Sequence, residues 1–513
     1  MRLLITSLTI CSIVYAQETF CKTITGSFEV AKSIVKTPDG GYLIAGFTRT
    51  YGIGQEDGIV IKLKSDFSID WIRTAGTSNR EEFVRIKPLS SGKYIVVGNF
   101  LYTGRNWDFR TAMVDLSTWP YVTGPIYDIG DTISTGLDPD EIAYDIIEAN
   151  NGYIIVGEYW TGSTGGDIYI VKVDIIFDVL WRIAVTSPGS GSEWANSIIK
   201  TNDGNYVAVG HFDIGLFMVK IDENGNFLWM RNYNNLYYYS DILEESDGSL
   251  VVASECNWPT DICISKFNSN GNWIWTKYVS GGSLIERPYR IIKTLDGGYL
   301  VVGETQSFGS GSNGSSDGYI VKFDNNGNVQ WTRTVGSSST YDQLYDVVQT
   351  PDSGYLAVGR MGTNMLIVKL DKNGNLCSPC NTGSGGSTAS LTATSYNPSY
   401  TVFNPTIYSI PSGFSSNQPN INFTPICAST VISELENASV YISCKKDRII
   451  MRSDKSFNFS AKIYNLSGIL ISSYNGTINN EFHLNTSHLK KGVYVLDIEL
   501  NNKKIRKSFI KEE

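Results

Sequence analysis

The chain has 513 residues, 42% hydrophobic, 12% aromatic and only 18% charged, with 49 glycines and a formal net charge of −9. That composition fits a large β protein, and the acidic balance argues against nucleic acid as a partner. Beyond the first sixteen residues no segment is apolar for long enough to span a membrane as a helix.

Residues 1–16 open Met1-Arg-Leu-Leu, continue as an apolar run and end Val14-Tyr15-Ala16. This is the pattern of a signal peptide cleaved before Gln17, and it is too short for an anchor. Export makes disulfides available. Cys256 and Cys263 flank a short loop between two expected strands, close enough to staple that hairpin.

A unit of about 50 residues, the size of a four-stranded propeller blade, then recurs. Its clearest copy runs from Gly297 to Gly336, and its Gly-Tyr-x-x-x-Gly signal can be followed through Tyr42, Tyr94, Tyr153, Tyr206, Leu250, Tyr299 and Tyr355. Seven copies that cannot each bury two faces must stack on one another. In five copies a Lys in the third strand is followed nine residues later by a Trp in the fourth, at Lys62/Trp71, Lys172/Trp181, Lys220/Trp229, Lys266/Trp275 and Lys322/Trp331. The same step from Lys369 reaches Ser378, and no fourth strand follows. Phe20-Cys-Lys-Thr-Ile-Thr-Gly26 reads like the missing piece. The N-terminal strand is therefore expected to complete the last blade and close the ring, and a Cys21 bridge to Cys377 or Cys380 would lock it.

One acidic position recurs ahead of the first strand's apolar run: Glu29, Glu81, Glu141, Glu193, Glu286 and Asp342, with Tyr237 at the equivalent place in copy five. Such a ring could line the channel mouth and hold a cation, calcium being the fitting one, or a basic ligand. Its structural alternative is a repeated tie to neighbouring loops. The Asp-x-Asn-Gly-Asn segments at Asp222, Asp324 and Asp371 look like pieces of a calcium loop but lack its later acid, and they are expected as hairpin turns. Aromatic residues Tyr102, Trp107, Tyr159, Trp160 and Trp194 gather in the longer loops, suited either to a glycan or peptide face or to packing between blades. His211 is the one histidine of the repeats, so a histidine-based triad or metal site is poorly supplied, and no catalytic residue or resident cofactor is expected.

Residues 381–430 turn rich in Ser, Thr, Asn, Gly and Pro, as an extended linker would, or as irregular β structure folded back along the propeller. From residue 431 the strands Ala461–Tyr464, Ile469–Tyr474, Val493–Glu499 and Lys504–Ile510 imply a small β-sandwich. Lys462-Ile-Tyr-Asn-Leu-Ser-Gly-Ile-Leu470, Leu489-Lys-Lys-Gly-Val-Tyr-Val-Leu-Asp-Ile498 and the basic end Phe509-Ile-Lys511 resemble the type A C-terminal sorting domain of the type IX (Por) secretion system. The family's Tyr-Pro-Asn-Pro opening is missing, and Val440-Tyr-Ile-Ser-Cys444 stands in its place. The resemblance implies export by that machinery to the outside or the outer-membrane surface of a Gram-negative bacterium, with the propeller as cargo.

The expectation is all-β: a leader (1–16), a seven-bladed β-propeller closed by the N-terminal strand (17–380), a linker (381–430) and a sorting sandwich (431–513). A non-catalytic binding module for extracellular glycan or protein fits best. The alternative is a propeller enzyme acting on glycans or using a quinone.

Overall fold

The computed structural model describes residues 19–403 and 430–511, apart from short segments chiefly between strands. The expected leader, Tyr102, Cys377 and Cys380 fall outside the described residues.

Seven four-stranded antiparallel sheets follow one another along the chain, consistent with a seven-bladed β-propeller. In sheet one the strands are Glu29–Lys36, Tyr42–Thr48, Asp57–Leu63 and Ile69–Ala75, paired in that order. The second and third of these are buried along their whole length, which requires a neighbour on both faces. The seven first strands are Glu29–Lys36, Arg80–Pro88, Asp140–Ala149, Trp194–Lys200, Leu236–Glu244, Glu286–Lys293 and Asp342–Gln349. Each touches the first strand of the next sheet, and that of sheet seven touches that of sheet one, so the first strands are innermost.

Each innermost strand has a register irregularity against its partner at the same place: between Ala31 and Ser33, Phe83 and Arg85, Ala143 and Asp145, Ala195 and Ser197, Tyr237 and Asp241, Pro288 and Arg290, and Leu344 and Asp346. This bulge explains the second glycine of the repeat. A Cβ added at Gly46 would lie 1.9 Å from the Val30 carbonyl oxygen, and one at Gly303 would lie 1.8 Å from that of Arg287. Only a glycine lets the bulged carbonyl pass. Sheet five has Ser254 there, and its irregularity is the widest of the seven.

The Lys/Trp spacing is a cross-strand pair. Lys62 stands opposite Trp71, Lys172 opposite Trp181, Lys220 opposite Trp229, Lys266 opposite Trp275 and Lys322 opposite Trp331. The indole then covers the next sheet's Asn-Gly turn. A Cβ added at Gly327 would fall 2.7 Å from the Trp275 ring, and one at Gly374 the same distance from Trp331. Both glycines hold positive φ, 80° and 76°. The turns at Asp222, Asp324 and Asp371 are hairpins in which the Asp side chain accepts N–H bonds from Asn224 and Asn226, Asn326 and Asn328, and Asn373 and Asn375.

Phe20–Ile24 pairs antiparallel with Asn364–Leu370 as the outer strand of sheet seven, and Phe20 stands opposite Lys369, where five other sheets carry tryptophan. Its ring meets Phe67 of sheet one at 5.2 Å. Cys21 on this strand is disulfide-bonded, and Cys256 is joined to Cys263 with Cα atoms 5.9 Å apart.

Residues 381–403, expected within a linker, take the fold-back course. Asn381–Gly383 adds a fifth strand to sheet six, Ser387–Leu391 to sheet five, Ser395–Tyr396 to sheet four and Thr401–Phe403 to sheet three. The segment thus travels backwards around the propeller, capping one open sheet edge after another, and its small hydroxyl side chains let the backbone approach closely. The C-terminal region forms two four-stranded antiparallel sheets, and Phe459 of one meets Phe482 of the other at 4.7 Å.

A chain ending at residue 376 would bare the outer edges of sheets three to six. It is expected to melt lower than the mature chain and to self-associate; equal melting and an unchanged monomer by light scattering would show the added strands to be dispensable.

Candidate functional site

The irregularity in each innermost strand turns neighbouring residues toward the axis. The deeper ones are Ser33, Arg85, Asp145, Ser197, Asp241, Arg290 and Asp346, one per sheet. Arg290 Nη1 lies 3.2 Å from Asp241 and its Nε 3.2 Å from Asp346. Arg85 Nε lies 3.3 Å from Asp145 and its Nη1 3.8 Å from Asp346, although sheets two and seven are not neighbours, so these side chains meet on the axis. Lys87 adds a contact of 3.0 Å to Asp145. The hydroxyls of Ser33 and Ser197 donate to Asp346 and Asp241 at 2.8 and 2.7 Å. The backbone N–H groups of Ile34, Ile198 and Ile291 donate to Asp346, Asp145 and Asp241. Three carboxylates thus face three cations in a buried plug. Burial alone would raise the Asp145 carboxyl, but Lys87, Arg85 and Arg290 outweigh it and hold it below the usual carboxylate range.

Above the plug lie the bulge residues themselves, among them Lys32, Tyr144, Asn196, Tyr289 and Tyr345, with side chains from the starts of the first strands and the ends of the second. They form a mouth. Tyr289 and Tyr345 pack at 5.0 Å, with the Lys32 ammonium 4.1 Å over the Tyr345 ring. Tyr345 Oη donates to Gln343, which also accepts from Arg360 Nε at 2.7 Å. Glu304 accepts from Tyr289, Gln343 and Arg287, and Arg287 leans on Glu255 at 3.4 Å. On the far side Trp194, Tyr238 and His211 cluster, with the Trp194 and Tyr238 ring centroids 4.8 and 4.2 Å from the imidazole and 5.7 Å from each other. Tyr238 and, two sheets earlier, Trp160 are exposed by 40% and 42%. Tyr144 Oη donates to Glu158 at 3.2 Å.

The acidic positions are brought together in register but are not exposed. Glu29, Glu81, Glu141, Glu193, Glu286 and Asp342 are all buried to within 1%, so they do not present carboxylates to the mouth. Glu81 and Asp342 are held by the loop just ahead of their own strands. Glu81 accepts from the N–H and hydroxyl of Thr77 and from Arg110. Asp342 accepts from the N–H groups of Ser337 and Gly362, and Glu286 accepts from the Thr305 hydroxyl. The N–H groups of Glu81, Glu193, Glu286 and Asp342 donate to carbonyls of the preceding sheet, at Glu56, Gly166, Thr260 and Ser316. These are ties between sheets. Among the described residues no group of three or more His, Cys, Asp or Glu side chains converges as a metal would need.

The aromatic positions divide. Tyr159 is buried at 3% against Tyr169 and is a packing residue, because it lies inside the strand Gly152–Trp160 rather than in a loop. Trp107 opens a third strand, its N–H donating to Asp140, with Arg80 over its ring. Trp160 and Trp194 reach the mouth side. Sequence reasoning missed the plug and Glu255, Arg287, Tyr289, Gln343, Tyr345 and Arg360. The plug position is polar in every copy, as Ser33, Arg85, Asp145, Ser197, Asp241, Arg290 and Asp346, and that polarity is its one mark in the sequence.

Residues 439–512 match the secretion system C-terminal sorting domain. The chain thus carries a propeller joined to a sorting domain, and that domain places it outside the cell or on the outer-membrane surface of a Gram-negative bacterium. No curated protein matches the chain in sequence. Among solved structures it is similar to a catalytically inactive virginiamycin B lyase from Staphylococcus aureus, at 12% identity and a TM-score of 0.44 over 69% of this chain and 100% of that one. It is also similar to an ulvan lyase at 10% identity and a TM-score of 0.40, over 72% and 98%. A protein of unknown function from Dyadobacter fermentans follows at 9% identity and a TM-score of 0.38, over 68% and 98%. Likenesses this distant say nothing about ligand or chemistry.

Asp346→Asn would leave Arg290 and Arg85 buried beside a lost counter-charge, with an expected cost of about 3 kcal/mol in chemical denaturation; a loss under about 1 kcal/mol would mean the plug is not coupled to folding. Burial, with Glu304 adding to it against Arg287, pushes Glu255 from the ordinary 4.5 up to about 7. Burial and Asp261 push Glu286 to about 7 as well. Both folded carboxyls hold protons that the unfolded chain has already released, so stability should fall as pH rises from about 5 to about 7. Glu286→Gln should flatten part of that slope, and an unchanged slope would show that Glu286 does not titrate there.

Proposed function

We propose that the seven sheets form one closed ring, with Phe20–Ile24 as its closing strand, and that the mouth is a non-catalytic binding site for an extracellular glycan. The propeller within 17–380 is the working domain, and the sorting domain is its export address. The observation that carries this reading is the arc of aromatic side chains Trp160, Trp194 and Tyr238 on three successive sheets at the mouth. Two of the three are more than a third exposed even though large aromatic rings usually gain by burial. Flat rings beside Asn196, Glu158 and Tyr144 offer the apolar faces and hydrogen-bonding groups that a sugar presents in return.

A second reading is favoured by one feature. Glu255 titrates near neutrality beside Arg287, as a general acid or base would, and His211 lies on the sheet next to it. This would be an enzyme acting on the glycan it binds.

The mature chain tested on a glycan array is expected to bind, and Tyr238→Ala is expected to weaken that binding about tenfold or more, a loss of about 1.4 kcal/mol. Chain-length analysis of each bound glycan separates the two readings. Intact glycan supports binding alone, and cleavage that is abolished in Glu255→Gln would replace it with catalysis. No binding to any glycan would move the site to a protein partner.

A further inference from the structure

The buried or half-buried cations of the innermost strands are matched by acids: Arg85, Lys87, Arg287 and Arg290 each lie against a carboxylate. Lys32 and Arg360 are different. Both are half-buried at the mouth, and among the described residues neither has an acidic partner. Lys32 has only the Tyr345 ring beneath it. Arg360 donates to the amide oxygen of Gln343 and lies 5.7 Å over the Phe28 ring. The two belong to one cluster, because Tyr345 and Arg360 share Gln343. The carboxylate in that cluster, Glu304, is already held by Arg287, Tyr289 and Gln343. A pair of partly desolvated cations without counter-charge is costly unless an anion arrives to bond them.

This cationic corner belongs to sheets seven and one, whereas the aromatic arc belongs to sheets three to five. A ligand that spans the mouth therefore meets flat rings on one side and positive charge on the other. We propose that the glycan is acidic, with a carboxylate or sulfate group seated between Lys32 and Arg360 while its sugar faces rest on Trp194 and Tyr238. The inference deepens the glycan-binding reading and depends on it. No proton or bond changes hands in this step, only a charge-assisted contact in a partly dry site.

The test is calorimetric titration of the full mature chain with three tetrasaccharides: an oligogalacturonate for carboxylate, a chondroitin sulfate fragment for sulfate, and a cello-oligosaccharide as the neutral probe. At least one acidic probe should bind more tightly than the neutral one. Lys32→Gln combined with Arg360→Gln should weaken the acidic probe by about tenfold or more and leave the neutral one unchanged. Lys32→Arg, which keeps the charge, should retain most of the affinity and so guard against a mere folding defect. The two acidic probes tell carboxylate from sulfate as the preferred group. If the neutral probe binds as well as either acidic one and the double variant changes nothing, the acidic-ligand inference fails while glycan binding stands. If none of the three binds and the array is also silent, glycan binding itself fails, and the inference with it.

Discussion

A four-stranded sheet with two apolar faces cannot exist alone in water, and the rest of this structure follows from how that constraint is met. Each sheet covers the next, and the contact is sharpened at the outer edge by one repeated arrangement: a tryptophan opposite a buried lysine, laid over the turn glycine of the neighbouring sheet. The lysine is not left uncompensated. Lys62, Lys220, Lys322 and Lys369 each reach an Asp in the turn ahead of the second strand, at 2.7 to 2.9 Å. Those carboxyls are correspondingly acidic. For Asp39, hydrogen bonds from Lys62 and Thr37 overcome the opposing effect of burial and bring it down to about 2. Packing and charge pairing are therefore one unit, repeated around the molecule, and they hold the innermost strands where the bulges can act.

The bulges divide the axis into two chemistries. Below, Asp145, Asp241 and Asp346 occupy sheets three, five and seven, and each is bonded by a Ser or Arg from the next sheet, Ser197, Arg290 and Ser33 respectively. An alternation of this kind cannot go evenly around seven sheets, and sheet two is left over. Arg85 fills that gap by reaching two acids on opposite sides. Above, the extra residue of each bulge is free of this pairing and varies from Lys32 to Tyr144 to Tyr345. Constant architecture and variable lining are thus separated by a single residue of register.

The repeat was legible because it is written in residues with one structural use. Gly-Tyr-x-x-x-Gly marked the second strands, and the Lys/Trp spacing marked the third-to-fourth hairpins down to the substitution of Phe20 for tryptophan opposite Lys369. The acidic positions were found for the same reason, since what recurs in nearly every copy is architecture, and their burial follows. The mouth was much less legible. Lys32, Tyr289 and Tyr345 differ from copy to copy, and what unites them is a bulge, which leaves no mark of its own in the sequence except the glycine opposite it. Tyr159 and Trp160 are adjacent, yet strand alternation sends one inward and the other to solvent. The fold-back of residues 381–403 was half visible: its composition suits a linker as well as an added strand, and only the neighbouring sheet edges decide between them.

The strand that finishes sheet seven is the first piece of the described chain, and its partner, Asn364–Leu370, comes after almost all the rest of the propeller. Order of emergence is therefore opposed to order of completion. Sheets one to six can form as the chain appears, but the seventh has to wait while Phe20–Ile24 stays unpaired at the other end, and joining them means closing a loop that contains nearly the whole domain. Until then the edge of Asn364–Leu370 stays unpaired and Phe67 lacks the Phe20 ring that packs against it. Completion of sheet seven thus has to wait until Asn364–Leu370 has been made, so no piece short of nearly the whole propeller sequence can carry the finished sheet.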